Sequence, residues 1–136
     1  MKNKELMKLA DTIIKRLKAE GYYLLRYDAY STDSIYLKLD FGVCNSIRIA
    51  NHPGKEHLSY RYNIGGYIDR YRCQTGQYQM EFYPISDLVQ MLDSIRKNRA
   101  DKLYRYGREG YERLMLKNSA ENAQNTKGFW AKAKTV

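Results

Sequence analysis

The chain has only two cysteines and no long apolar run, and each shortage excludes a class of protein. Two cysteines in 136 residues do not make a disulfide framework, so Cys44 and Cys73 are expected to be reduced thiols. No stretch of about 18 apolar residues is present, which excludes a membrane-spanning helix. The first 21 residues are charged throughout and have no apolar signal core, so we expect no secretion signal and a cytoplasmic location.

A surplus of Lys and Arg gives the chain a large positive charge. There are 24 Lys and Arg residues against 15 Asp and Glu, a formal net charge of +9. Such an excess favours anionic partners, above all nucleic acid, a nucleoprotein or an acidic protein surface. Fourteen residues are tyrosine, about three times the share in an average chain. Tyrosine suits half-exposed sheets and interfaces because it combines a large ring with a polar hydroxyl.

Hydrophobic periodicity predicts helix, sheet and helix in that order. Apolar residues recur at three- and four-residue spacing over 3–19, and Gly21 is expected to cap that helix. A helix beginning near Ser86 is expected to reach about residue 104 and to resume over 111–117. Alternating or aromatic segments between the helices predict strands near 22–30, 34–41, 46–50, 58–64 and 77–83, with 67–73 ambiguous.

This order predicts an α+β fold, with an N-terminal helix, an antiparallel meander of four or five strands and one or more C-terminal helices. Periodicity is lost after residue 117. We therefore predict a single domain over 1–117 and a flexible basic tail over 118–136, with Phe129 and Trp130 as an isolated apolar pair.

Motifs for catalysis and metal binding are weak. Four possible zinc ligands are spaced without any short local pair, which favours no metal site: Cys44, His52, His57 and Cys73. Asp28 and Asp40 fall near the first hairpin and could face each other to bind a metal ion for phosphoryl chemistry. No phosphate-binding glycine loop or nucleophile elbow accompanies them. We therefore expect no enzyme, no catalytic residue and no cofactor, and keep a small metal-dependent nuclease as an open alternative.

The basic stretches are more informative. Residues 96–117 combine eight cations with three acids and interleaved tyrosines, the residue types that contact phosphates and stack on bases. The strands add Arg26, Lys38, Arg48 and Arg61, which we expect on one outward face of the sheet. The residues predicted to bind a partner or nucleic acid are Arg48, Tyr60, Arg61, Tyr62, Arg99, Lys102, Arg105, Tyr106 and Arg108.

A segment of the meander resembles type II anti-CRISPR inhibitors of Cas9, which are small phage-encoded proteins. Ser34-Ile-Tyr36 is followed by the run from Ser46 to His52, SIRIANH, and then by Tyr60-Arg-Tyr62. The resembling proteins carry an S-x-Y strand, a strand ending in I-R-[IL]-S-[DN]-H and a tyrosine-containing strand. The likeness covers about a third of the chain, and position 50 is Ala where the pattern has Ser.

The resemblance implies a phage or mobile-element protein that acts in the bacterial host cell. It would bind a CRISPR-Cas effector nuclease with its guide RNA, and block nucleic-acid loading or cleavage. A basic chain cannot mimic DNA by charge, so it would grip guide RNA, target DNA or an acidic protein surface. The alternative is a stand-alone basic RNA- or DNA-binding protein with no membrane partner, whose binding depends steeply on salt.

Overall fold

A computed structural model describes residues 4–29, 32–51, 54–66, 78–124 and 129–136. The elements are helix α1 (Lys4–Ala19), strands β1 (Leu24–Asp28), β2 (Ser34–Leu39), β3 (Ser46–Ala50), β4 (Tyr60–Gly66) and β5 (Tyr78–Tyr83), helix α2 (Leu88–Gln124) and strand β6 (Lys134–Thr135). Short 3₁₀ turns lie at Asp40–Gly42, Glu56–Leu58, Ile85–Asp87 and Phe129–Lys132. The predicted α+β class is confirmed, with one strand more than the upper expectation. The ambiguous segment 67–73 and residue 77 lie outside the described residues.

The strands form one antiparallel sheet in the order β5-β4-β3-β2-β1-β6. This is the meander expected from alternating segments joined by short turns, extended at one edge by β6. The connection from β2 to β3 is tight, and Asp40, Phe41 and Gly42 all adopt positive φ angles there. It turns the chain so that Leu37 pairs with Ile47 and Ile35 with Ile49.

The core lies between one face of the sheet and the two helices, and we call this face the inner face. α1 buries Leu6, Ala10, Ile13 and Leu17, the predicted apolar stripe. α2 contributes Met91, Leu92 and Ile95. Successive side chains along each strand point to opposite faces of the sheet. Those that do not point to the inner face form the outer face of the sheet. No helix in the described part of the chain is long and apolar enough to cross a membrane.

The C-terminal region differs from the predicted flexible tail. α2 continues through Gln124, and its backbone bends at Gly107, which has φ 73° and ψ 166°. β6 then pairs with β1 through Leu25–Thr135 and Arg26–Lys134, and the amide of Val136 donates to the carbonyl of Leu24 at 3.1 Å. Periodicity could not predict β6, because a strand of two residues is too short to show a sequence period.

Candidate functional site

Two rows of side chains run across the outer face of the sheet. The first row contains Tyr27, Tyr36, Arg48, Arg61 and Phe82, each directly opposite the next on neighbouring strands from β1 to β5. Directly opposite residues on antiparallel strands have Cβ atoms about 5 Å apart. The row therefore brings two guanidinium groups together between aromatic rings, and we call it the arginine row.

The arginine row has no compensating negative charge. Among the described residues, no carboxylate lies within salt-bridge distance of Arg48 or Arg61. The Nε of Arg48 donates to the Ser34 hydroxyl at 3.2 Å, whereas the Nε of Arg61 is buried with no hydrogen-bond partner in the described part of the chain. Burial, together with the charge of Arg48, lowers the pKa of Arg61. Two adjacent half-buried cations of this kind form a site for anions.

The acidic strand residues point the other way. Asp28 lies opposite Ile35 and accepts hydrogen bonds from Arg26, and Glu81 accepts a hydrogen bond from Tyr83. Each of the two acidic residues is an odd number of positions from the outer-face residues of its own strand. Because successive side chains alternate between faces, both point to the inner face. At the described strand positions, the outer face consequently carries no carboxylate.

The second row on the outer face is mixed in chemistry. Lys38 lies opposite Ser46, Ser46 opposite Asn63, and Asn63 opposite Met80. Trp130, from the C-terminal turn, packs over this row, with the Nζ of Lys38 4.5 Å from its ring centroid. Burial lowers the pKa of Lys38. We call Lys38, Ser46, Asn63 and Met80 the polar row.

Trp130 also contacts the arginine row. Its ring meets that of Tyr36 edge to face, with centroids 6.4 Å apart, and Tyr36 lies 6.5 Å from Tyr27. At the opposite end, Phe82 is 45% exposed and Met80 46%. Large exposed apolar side chains beside unpaired arginines are the combination that stacks on nucleobases while the cations contact phosphates.

The expectation for the four strand cations holds for three of them. Lys38, Arg48 and Arg61 lie on the outer face, but Arg26 lies opposite the buried Leu37 on the inner face. Its guanidinium pairs with Asp28 at 2.8 Å and with Asp11 of α1 at 3.2 Å. Arg26 and its neighbour Tyr27 point to opposite faces of the sheet. Which of them points inward depends on the strand register, which the sequence alone does not give.

Tyr60 and Tyr62, which we expected at the interface, lie in the core. Both are 0% exposed. The Tyr62 hydroxyl donates to the carbonyl of Cys44 at 3.0 Å and accepts from the side-chain amide of Asn98 at 2.7 Å. These contacts join the sheet to α2, so neither ring contributes to a surface. The aromatic residues that do so are Tyr36, Phe82 and Trp130.

Arg99 lies in a network at the junction between α2 and the β2–β3 turn. Its Nε is 3.0 Å from Oδ2 of the fully buried Asp40, and its terminal nitrogens donate to the carbonyls of Glu20 and Gly21. The guanidinium also stacks 4.0 Å from the Tyr22 ring centroid. Burial lowers its pKa, but Asp40, Tyr111 and Tyr22 together outweigh this effect and the pKa is raised. Arg99 therefore joins the elements together instead of facing a partner.

Lys102 has a similar structural position. Its Nζ donates to the carbonyl of Val43 at 2.6 Å and to the side-chain oxygen of Asn45 at 2.7 Å. Burial lowers the pKa of Lys102. Because Asn45 has a positive φ of 68°, these bonds also hold the left-handed residue that leads into β3.

Arg105, Tyr106 and Arg108 are exposed around the bend at Gly107. Their side chains face solvent, and their binding to a partner stays a prediction. They lie on the helix whose first half packs against the inner face, and so form a surface separate from the arginine row. Residues Tyr104 and Leu116, at 91% and 70% exposed, extend it.

The possible metal and catalytic residues are not brought together. Asp28 and Asp40 lie beyond opposite ends of the β1–β2 pair, since Leu24 pairs with Leu39 and Asp28 with Ile35. Four strand residues separate these ends by roughly 13 Å. Cys44 is buried against Tyr62, while His52 and Cys73 lie outside the described residues. Within the described ranges, no three metal-ligating side chains cluster.

Sequence alternation alone could have found part of this site. Tyr36, Lys38, Arg48 and Arg61 occupy the positions between buried residues of their strands. Phe82 is more exposed than either of its strand neighbours. Their common face required the register of five strands, and Trp130 required the path of the C-terminal segment. Comparison with protein-family models, with curated proteins and with solved structures gives no significant match for this chain.

Proposed function

We propose that this protein binds single-stranded nucleic acid through the outer face of its sheet. The observation that carries the proposal is the arginine row, in which Arg48 and Arg61 lie directly opposite each other between the rings of Tyr36 and Phe82. Phosphate groups neutralise such a pair, and the rings supply stacking surfaces that depend little on base sequence.

The spacing of the rings favours a single strand over a duplex. Tyr36 on β2 and Phe82 on β5 are three strand separations apart, or about 14 Å. That span matches a few nucleotides laid across the strands, with bases on the rings and phosphates at the arginines between them. A duplex hides its base faces within the stack, so its backbone would use the arginines and leave the exposed ring of Phe82 and the half-buried ring of Tyr36 unused.

The test is a binding titration of labelled single-stranded RNA and DNA 12-mers at several salt concentrations. Replacing both Arg48 and Arg61 with Ala should weaken binding at least tenfold. It should also reduce the slope of log K against log salt by about 1.4, since a single strand contributes roughly 0.7 per neutralised phosphate.

The matched control removes two exposed cations from α1, Lys8→Ala and Lys15→Ala, which lose the same charge from the opposite side of the molecule. This control should retain the wild-type slope to within about 0.3. Equal losses in the two double variants would mean that net charge alone drives binding, and would contradict a site on the sheet.

A second candidate function is inhibition of a Cas9-like nucleoprotein nuclease, and one observation favours it. Four residues of the segment that resembles anti-CRISPR proteins are neighbours on the outer face, where Tyr36 pairs with Arg48, Ser34 pairs with Ala50 and Arg48 bonds to Ser34. Tyr60 and Tyr62 of the same segment lie in the core. On this hypothesis the same arginine row meets guide RNA or an acidic protein surface.

The two candidates differ in what they bind when offered free nucleic acid and an assembled effector. An inhibitor is retained by an immobilised Cas9–guide complex at about 150 mM salt and blocks its cleavage, and Arg48→Ala releases it. A stand-alone binder retains free single strands equally well and leaves cleavage unchanged. Cleavage at the uninhibited rate with saturating protein would dispose of the inhibitor hypothesis.

A further inference from the structure

A pocket of about 460 Å³ opens beside the polar row. Its floor is formed by Lys38, Ser46 and Asn63, which are successive cross-strand neighbours. Its walls come from Asn118, Glu121 and Asn122 on the last turns of α2 and from the indole of Trp130. The volume lies within the range of small-ligand sites, and the pocket adjoins the surface proposed above.

The pocket wall contains two unsatisfied acceptors. The side-chain oxygens of Asn63 and Asn122 are both buried and have no hydrogen-bond partner among the described residues. Unpaired buried amide oxygens are uncommon, because folding removes them from water without replacing the lost hydrogen bond. Both residues line the same pocket, Asn63 in its floor and Asn122 in its wall, with the oxygens themselves turned away from the open space. A ligand that donates hydrogen bonds can satisfy them once the amides rotate. Rotation about the Cβ–Cγ bond, a soft torsion, turns each amide toward the pocket.

The other walls define the chemistry of that ligand further. Trp130 provides an aromatic surface, and Asn118 lies one helical turn from Asn122 on the same side of α2. Asparagine side chains pair with the hydrogen-bonding edges of bases. The Nζ of Lys38 lies over the Trp130 ring and has no carboxylate within salt-bridge distance among the described residues, so an anion can meet it without breaking an ion pair.

We infer that this pocket receives one nucleobase carrying an exocyclic amino group, as in adenine or cytosine, with its phosphate at Lys38. The amino hydrogens donate to the oxygens of Asn63 and Asn122. Uracil and thymine present a carbonyl oxygen at the corresponding position and have a single donor, N3–H, on that edge, so they leave at least one of the two acceptors unpaired. Lys38 and Tyr36 are two residues apart on β2, so the pocket lies about 7 Å from the arginine row, roughly one nucleotide step. The inference rests on the proposed function, to which it adds base selectivity.

The experiment compares wild-type binding of labelled RNA octamers of adenine, cytosine and uracil. We expect the adenine or the cytosine octamer to bind at least ten times more tightly than the uracil octamer. The variant Asn63→Ala/Asn122→Ala should bring this ratio to within twofold of one. If it fails to fold by near-ultraviolet circular dichroism, Asn122→Ala alone serves, because Asn122 lies in the last residues of α2, and it should lower the ratio at least threefold.

The matched control removes two exposed amides from the same helix, Gln90→Ala/Gln124→Ala, and should keep the wild-type ratio. Adenosine monophosphate distinguishes the two sources of the base. Binding of the free nucleotide that Asn63→Ala/Asn122→Ala abolishes supports a nucleotide site, whereas binding of octamers alone supports a base within a strand.

Two results would overturn the inference. Octamers that all bind the wild type tightly and within twofold of one another refute base selectivity while leaving the proposed function intact. A tenfold preference that persists in a folded Asn63→Ala/Asn122→Ala variant places the selectivity elsewhere. Failure of every octamer and of the nucleotide to bind refutes both the inference and the proposed function.

Discussion

Two clusters of arginine and tyrosine in this molecule have the same composition and opposite properties. At the helix–sheet junction, Arg99 lies against Tyr22 and Tyr111, and the buried carboxylate of Asp40 balances its charge. On the outer face, Arg48 and Arg61 lie beside Tyr36 with no described carboxylate in salt-bridge range. The comparison teaches that residue type and spacing do not separate a stabilising network from a binding surface. What distinguishes the two clusters is the buried counter-charge that Asp40 supplies to Arg99.

The strongest test of this comparison removes the counter-charge. Asp40→Asn keeps the side-chain shape and tolerates the positive φ of 51°, but leaves the Arg99 guanidinium buried and unbalanced. We expect the free energy of unfolding to fall by about 3–5 kcal/mol in urea titrations. Asp33→Asn, which removes an exposed carboxylate, is the control and should change it by about 0.5 kcal/mol or less. A loss below about 1 kcal/mol for Asp40→Asn would show that the junction does not depend on the pair.

High pH should also weaken the junction between α2 and the sheet. Burial raises the pKa of Cys44 from 9.0 to about 11 and that of Tyr22 from 10.0 to about 12. Between these values the unfolded chain loses protons that the folded chain keeps, so stability is full below pH 9 and falls as pH rises. For Cys44 the loss approaches roughly 2–3 kcal/mol by pH 11.

Urea midpoints measured from pH 8 to pH 11 check this prediction. In Cys44→Ala the decline should begin near pH 10 in place of pH 9, because the tyrosine contribution remains. Parallel curves for the two proteins would indicate that the Cys44 thiol is not protected by the fold.

On the outer face, a substitution should change binding more than stability. Phe82 is 45% exposed and flanks Arg61, so Phe82→Ala should cost about 1–3 kcal/mol of binding free energy for single strands. The free energy of unfolding should change by about 1 kcal/mol or less. Val89→Ala, at a 60% exposed apolar position on α2, should leave binding unchanged. Equal binding by Phe82→Ala and the wild type would remove the stacking role from this end of the row.

The smallest expected effect has the opposite sign. Like charges directly opposite each other destabilise a strand pair, so Arg61→Thr should raise the free energy of unfolding by about 0.5 kcal/mol while weakening nucleic-acid binding. Thermal unfolding and the 12-mer titration measure the two quantities on the same sample. If Arg61→Thr is less stable than the wild type and binds nucleic acid equally tightly, Arg61 neither repels Arg48 nor contributes to binding.

The sequence predicted the element order and most strand positions because periodicity is a local property. β3 was predicted over 46–50 and runs from Ser46 to Ala50, and Gly21 ends α1 with a positive φ as expected. The site was harder to predict, because it depends on long-range register. Arg48 and Arg61 are 13 residues apart in sequence yet directly opposite, while Tyr60 and Tyr62 share their strand and face the core.

The C-terminal region shows the same limit from another side. Nothing in its local pattern distinguishes a tail from a chain that returns to β1, since β6 contains two residues. Trp130 becomes informative only when Lys38 and Tyr36 are known to lie beneath it. Likewise, Arg99 and Lys102 belong to a basic run in the sequence. Only the fold shows that Arg99 pairs with the Asp40 carboxylate and that Lys102 donates to the carbonyl of Val43.

Ultraviolet cross-linking of a single-stranded RNA 12-mer to the wild-type protein, with peptide mapping by mass spectrometry, tests the central claim most directly. The account predicts adducts at Tyr36, Phe82 or Trp130 on the outer face, and their loss in Arg48→Ala/Arg61→Ala. Adducts confined to Tyr104 and Tyr106 on the exposed part of α2 would contradict it, because the helix would then carry the binding surface.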